Sequence, residues 1–153
     1  MRFLLLLLPC GLLLALAASG EDPAPADRAE LSVVVTGLEN DRGNLELALH
    51  SSPTSFLAKD AGQKPFLHLT LPIRDRKSAE VIKNLAPGAY AITAFHDEND
   101  NDRLDTNFLG IPKEAVGFSG STRPRFGPPS YDQAKFDLKV GPRQLVIQVK
   151  KIF

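Results

Sequence analysis

From His96 to Asp105 the chain reads His-Asp-Glu-Asn-Asp-Asn-Asp-Arg-Leu-Asp, with five carboxylates between Asp97 and Asp105 and one arginine among them. Carboxylates crowded to that density repel one another unless solvent or a cation relieves them. Alternate residues of a curled loop direct oxygens inward, and Ca²⁺ takes about six to eight hard oxygen ligands. Asp97, Asn99, Asn101 and Asp105 fall at the first, third, fifth and ninth positions of an EF-hand-type calcium loop. Arg103 offers a backbone carbonyl from the seventh position, and Glu114, after Gly110-Ile111-Pro112-Lys113, is best placed to add a further carboxylate. Asp102 stands where that motif has Gly, and Phe108 where it has a bidentate Glu. The expectation is therefore a Ca²⁺ loop of related ligand order carried on a strand end, without the flanking helices of an EF-hand.

Other chemistries are open to the same residues. Asn and Asp favour turns with no metal bound, and Mg²⁺ or Mn²⁺ would also accept these oxygens. Zn²⁺ is disfavoured because only His96 offers nitrogen nearby. A metal-assisted hydrolase would use His96 with the loop carboxylates around an open coordination position. The commoner role for a His at a strand end is structural, bonded to loop backbone. His50 and His68 fall on polar strand faces and are expected to be exposed. Gly117-Phe118-Ser119-Gly120-Ser121 nearly matches a nucleophile elbow, but it lacks the final Gly and the strand-to-helix setting. Arg123 and Arg125 suit an anionic partner or the acidic loop itself. Phe108, Phe118, Phe126 and Tyr131 are expected to anchor their segment to the domain.

The elements that must position this loop alternate with period two. Leu31, Val33 and Val35 face one way, and after the Glu39–Gly43 turn so do Leu45, Leu47 and Leu49. Further strands are expected at 67–73, 79–85 and 89–96, with Ala86-Pro87-Gly88 as a tight turn. Two more are expected at 134–140 and 145–151, joined by a turn at Gly141-Pro142-Arg143. About seven short strands without a long helix make an all-β, antiparallel β-sandwich. Between the fifth and sixth strands, residues 97–133 form a Gly- and Pro-rich excursion that is too long for an idle connection.

The remaining features bound the class. The 153 residues suit one domain. Eighteen basic and eighteen acidic side chains give no reason to expect a nucleic-acid binder. Residues 1–17 read as an export signal, with Met1-Arg2, an apolar run from Phe3 to Leu16, and Ala15-Leu16-Ala17 at the cleavage positions. That run is short of the ~20 residues of a transmembrane helix, so no span is expected in the mature chain. Residues 18–30 read as a flexible tether, and 31–153 as the single sandwich domain. The signal would also remove the only cysteine, Cys10, leaving no thiol chemistry.

The run Asn84-Leu85-Ala86-Pro87-Gly88-Ala89-Tyr90 resembles a hairpin of transthyretin-like and carboxypeptidase-regulatory-like β-sandwiches. Together with His96-Asp97-Glu98-Asn99, Leu104-Asp105, Gly110-Ile111-Pro112-Lys113-Glu114 and Gly117-Phe118-Ser119, it resembles the bacterial exported family called domain of unknown function 2141. The resemblance covers residues 31–151 and implies export and a β-sandwich, with no established activity. Its usual Gly in the acidic loop is Asp102 here.

The resulting expectation is an exported, non-catalytic protein, periplasmic or extracellular, whose Ca²⁺ loop is structural and shapes a surface for an envelope protein, glycan or lipid carrier. Metal-assisted hydrolysis and a metal-free adhesion or accessory module are the alternatives.

Overall fold

The computed structural model describes residues 27–57, 63–120 and 127–152. The expected signal, Cys10, most of the tether, Arg123, Arg125 and Phe126 lie outside them. Among the described residues eight strands and one short helix follow in the order β1 (Ala29–Thr36), β2 (Asn44–His50), β3 (Leu67–Pro72), β4 (Ser78–Leu85), β5 (Gly88–Asp97), β6 (Val116–Phe118), α1 (Tyr131–Ala134), β7 (Phe136–Leu138) and β8 (Gly141–Gln148). They form the expected two-sheet sandwich: three strands in the order β4-β1-β8 face five. In the larger sheet β3-β2-β5-β6 run side by side, and β7 pairs with the first residues of β5.

Alternation explains the core. Leu31, Val33 and Val35 of β1, Ile82 of β4 and Ile147 of β8 meet Leu45, Leu47 and Leu49 of β2 and Tyr90, Ile92 and Ala94 of β5, all buried. At about 25 cal/mol per Å² of apolar surface removed from water, this interface is the main stabilising element of the fold.

The structure departs from the expected strands in several places. β1 begins at Ala29, two residues into the expected tether, because Ala29 is buried opposite Leu85. β1 and β8 pair in parallel, from Ala29 with Gly141 to Thr36 with Gln148, so the sandwich is mixed. Gly141-Pro142-Arg143 consequently opens β8 instead of turning the chain. The strand expected at 134–140 is divided. Tyr131–Ala134 is a helical turn closed by a Ser130–Gln133 capping box, and only Phe136–Leu138 is strand.

The excursion contains β6, which pairs with β5 from Phe95 opposite Val116 to Thr93 opposite Phe118. Val116 also exchanges two backbone hydrogen bonds with Lys150, tying the excursion to the chain beyond β8. Only glycine fits at 117, since a Cβ there would lie 2.9 Å from side-chain carbons of both Ile147 and Val149. Among the described residues no helix is long and apolar enough to cross a membrane.

Candidate functional site

The acidic loop starts at the last residue of β5. Strand alternation turns His96 into the sandwich and Asp97 to the outer face of the five-stranded sheet. Both are fully buried. Asp97 acts as the organiser of the loop: one carboxylate oxygen accepts from the Asn101 N–H (3.1 Å) and the other from the Asp102 N–H (2.7 Å). Asp100 and Asp102 take left-handed backbone conformations, with φ of 61° and 59°. Asp tolerates that region better than most residues, so the turn closes without the glycine expected at 102.

Glu114 does the same for the far side of the loop. Its buried carboxylate accepts from the Glu98 N–H (3.1 Å) and the Asp105 N–H (3.0 Å). Asp105 accepts from the side-chain amides of Asn99 (2.9 Å) and Asn101 (3.3 Å), and the Arg103 N–H donates to Asn101 Oδ1 (2.9 Å). Asp97, Asn99, Asn101, Arg103, Asp105 and Glu114 are thus gathered in one hydrogen-bonded unit. Within it the carboxylates accept from the loop's own N–H groups.

Neighbouring turns clamp this unit. At Gly43, φ is +64° and a Cβ would lie 1.8 Å from the Asp97 carbonyl oxygen, so the β1–β2 turn passes directly against the loop. Glu98 pairs with Arg42 at 2.7 Å and with Lys151 at 2.9 Å, and Lys151 also holds Glu39 at 2.8 Å. The Lys151 contact holds the Glu98 carboxyl below its usual range, and Glu39 with Glu98 raises the Lys151 ammonium.

Among the described residues, three carboxylates converge that share only Asp97 with the expected set. Oxygens of Glu46, Asp97 and Asp102 all lie within 4.8 Å of one another. Glu46 is on β2, beside Phe95 of β5, and is 2% exposed. Its Oε2 accepts from Thr70 (3.1 Å) and meets His68 Nε2 at 2.9 Å, both on β3. Among the described residues, its Oε1 has no hydrogen-bond partner. Sequence reasoning missed Glu46 because the polar face of an amphipathic strand reads as solvated; only the loop folded over it makes it buried.

His96 lies on the core side of β5, with Nε2 2.8 Å from the Arg42 carbonyl. The strand therefore separates its ring from the Asp97 carboxylate. His50 is buried, correcting the expected exposure, with its ring nitrogens near Ser55 (3.3 Å) and Thr93 (3.1 Å) and its ring edge against Phe56. Burial pushes the His50 imidazole below its ordinary value. Ser119, the near-elbow serine, is also buried; it donates to the Ala134 carbonyl (2.7 Å) and accepts from the Ile92 N–H (2.7 Å), stapling α1 to β5.

The expected aromatic anchors divide. Phe118 and Tyr131 pack with Phe56, Ala91 and Ala134 in a second apolar cluster on the outer face. Phe108 is 94% exposed at the tip of a turn, where the Asn107 side chain accepts from the Leu109 and Ile111 N–H groups.

No curated protein matches the chain. A solved pilus-presented adhesin aligns with 85% of this chain at 15% identity and a TM-score of 0.26, and the alignment spans 28% of the adhesin's length. A family model described as "Uncharacterized protein conserved in bacteria (DUF2141)" matches residues 33–145, from β1 through the acidic loop into β8. The chain belongs to this DUF2141 family of uncharacterized bacterial proteins.

Proposed function

We propose that the protein is an exported, non-catalytic binding module in which Ca²⁺ held by the acidic loop is structural and fixes a projecting recognition tip. The observation that carries this reading is the continuity of the segment from Asp97 to Glu114. The same carboxylates that offer hard oxygens also set the loop's backbone, and the loop delivers Phe108 and Leu109 to solvent on a turn closed by Asn107. Five acidic residues against one basic make the loop self-repelling, and a divalent cation relieves that directly. The basic start, short apolar run and small residues at 15 and 17 support export. An envelope protein, glycan or lipid carrier is the expected partner of the tip.

Thermal unfolding in Ca²⁺ and in chelator tests the proposal. An ion that binds only the folded chain adds about 2.7 kcal/mol at a hundredfold excess over Kd, a rise on the order of 5–10 °C in Tm for a domain of this size. Asp97→Asn combined with Asp105→Asn removes the rise. Identical melting curves in Ca²⁺ and chelator overturn the reading.

A further inference from the structure

We infer that the cation is held where the loop meets the sheet, by Glu46, Asp97 and Asp102. This inference rests on the calcium reading above and relocates its ion from the outer curl of the loop to the floor beneath it. Three facts converge on that place. Oxygens of the three carboxylates lie within 4.8 Å of one another, and oxygens sharing one Ca²⁺ at about 2.3–2.6 Å lie within about 5 Å of each other. Glu46 and Asp97 are buried there, at 2% and 0% exposure. Among the described residues, no lysine or arginine forms an ion pair with any of the three.

The second, independent observation is Glu46 Oε1, which has no hydrogen-bond partner among the described residues. A buried carboxylate oxygen without a donor is costly, and more so beside two further carboxylates. Glu46 Oε2 is turned to β3, where Thr70 and His68 hold it. β2 lies between β3 and β5, and on the β5 side the Glu46 carboxylate has an oxygen within 4.8 Å of those of Asp97 and Asp102. Thr70 and His68 then act as outer partners that fix the carboxylate's orientation, the usual support for a metal ligand. Both Asp97 oxygens already accept one backbone N–H each, and each retains a second lone pair for a cation.

Asp102 completes the set from above. Its left-handed backbone, φ 59°, is one that glycine adopts at no steric cost. Oxygen-only ligation by carboxylates suits a hard divalent cation and not Zn²⁺. Held here, the ion would join β2, β5 and the loop in one contact, so that the acidic segment is fastened to the sheet and not merely curled upon itself.

Calorimetric titration of the full folded chain with CaCl₂ tests the assignment. Wild type is expected to bind, with Glu46→Gln and Asp102→Gly each weakening binding at least tenfold. Asp102→Gly removes an exposed carboxylate and supplies the residue its backbone favours, so it reports on the site even where Glu46→Gln disturbs folding. Wild-type affinity in Asp102→Gly, or in folded Glu46→Gln, overturns the assignment; loss in Asp97→Asn with Asp105→Asn would then leave the calcium reading standing. Absence of Ca²⁺ binding by wild type overturns both.

Discussion

The outer face of the five-stranded sheet is covered twice, in opposite ways. At one end α1 and the turn after β2 lay Tyr131, Ala134 and Phe56 over Ala91 of β5 and against Phe118 of β6 as a dry patch, with the Phe56 and Tyr131 rings edge to face at 5.8 Å. At the other end the acidic loop covers β2 and β5 with carboxylates and backbone N–H groups, above buried Glu46 and Asp97. β2 and β5 run through both. An apolar lid needs only complementary shape, whereas a polar lid must satisfy each buried oxygen. The first end is complete as it stands. At the second, Glu46 Oε1 is buried without a hydrogen-bond partner among the described residues.

The contrast can be broken by experiment. Phe56→Ala should cost about 3 kcal/mol by leaving a cavity under the dry lid, with the same loss of Tm in Ca²⁺ and chelator. A loss that Ca²⁺ abolishes would show that the two ends are not independent. A smaller effect concerns pH. Because the folded His50 imidazole lies below its unfolded value, the unfolded chain takes up a proton first as pH falls below about 6.5. Stability is therefore full above that pH and declines through the acid side until the folded group also titrates. His50→Gln should flatten that part of the stability profile measured by urea unfolding between about pH 7 and 5; an unchanged slope would remove His50 from the account. The smallest effect belongs to Phe108. Its ring is 94% exposed, so Phe108→Ser should alter stability by less than about 0.5 kcal/mol in a melting experiment, while abolishing capture of a partner that uses the tip.

Elements with clean alternation could be read directly, because Leu31-Val33-Val35 and Leu45-Leu47-Leu49 bury one face whatever the rest of the chain does. β6 could not. Its three residues, Val-Gly-Phe, show no period, and they become strand only because β5 extends past β7 and offers a free edge. Ala134, Phe136, Leu138 and Val140 mimic alternation, yet Ser130 and Gln133 carry a capping signature that turns the first of them into helix. The acidic loop was legible as composition, and its six expected ligand residues do form one unit. Glu46 and His50 were not legible, since strand period separates two faces without telling which is covered. Phe108 teaches the converse: an aromatic residue in a long excursion need not be its anchor.

The parallel pairing of β1 with β8 bears on how the chain acquires its shape. β1 is the centre of its sheet, with β4 on one side and β8 on the other, and Ala29 finds Gly141 only when the residues between them have been made. Synthesis proceeds from the N-terminus, so β1 has an open edge until β8 arrives. Distant pairings of this kind fold slowly, and an unpaired apolar edge is a template for other chains. Until β8 is available, the polypeptide is most vulnerable to intermolecular association along the strand that later lies deepest in the smaller sheet.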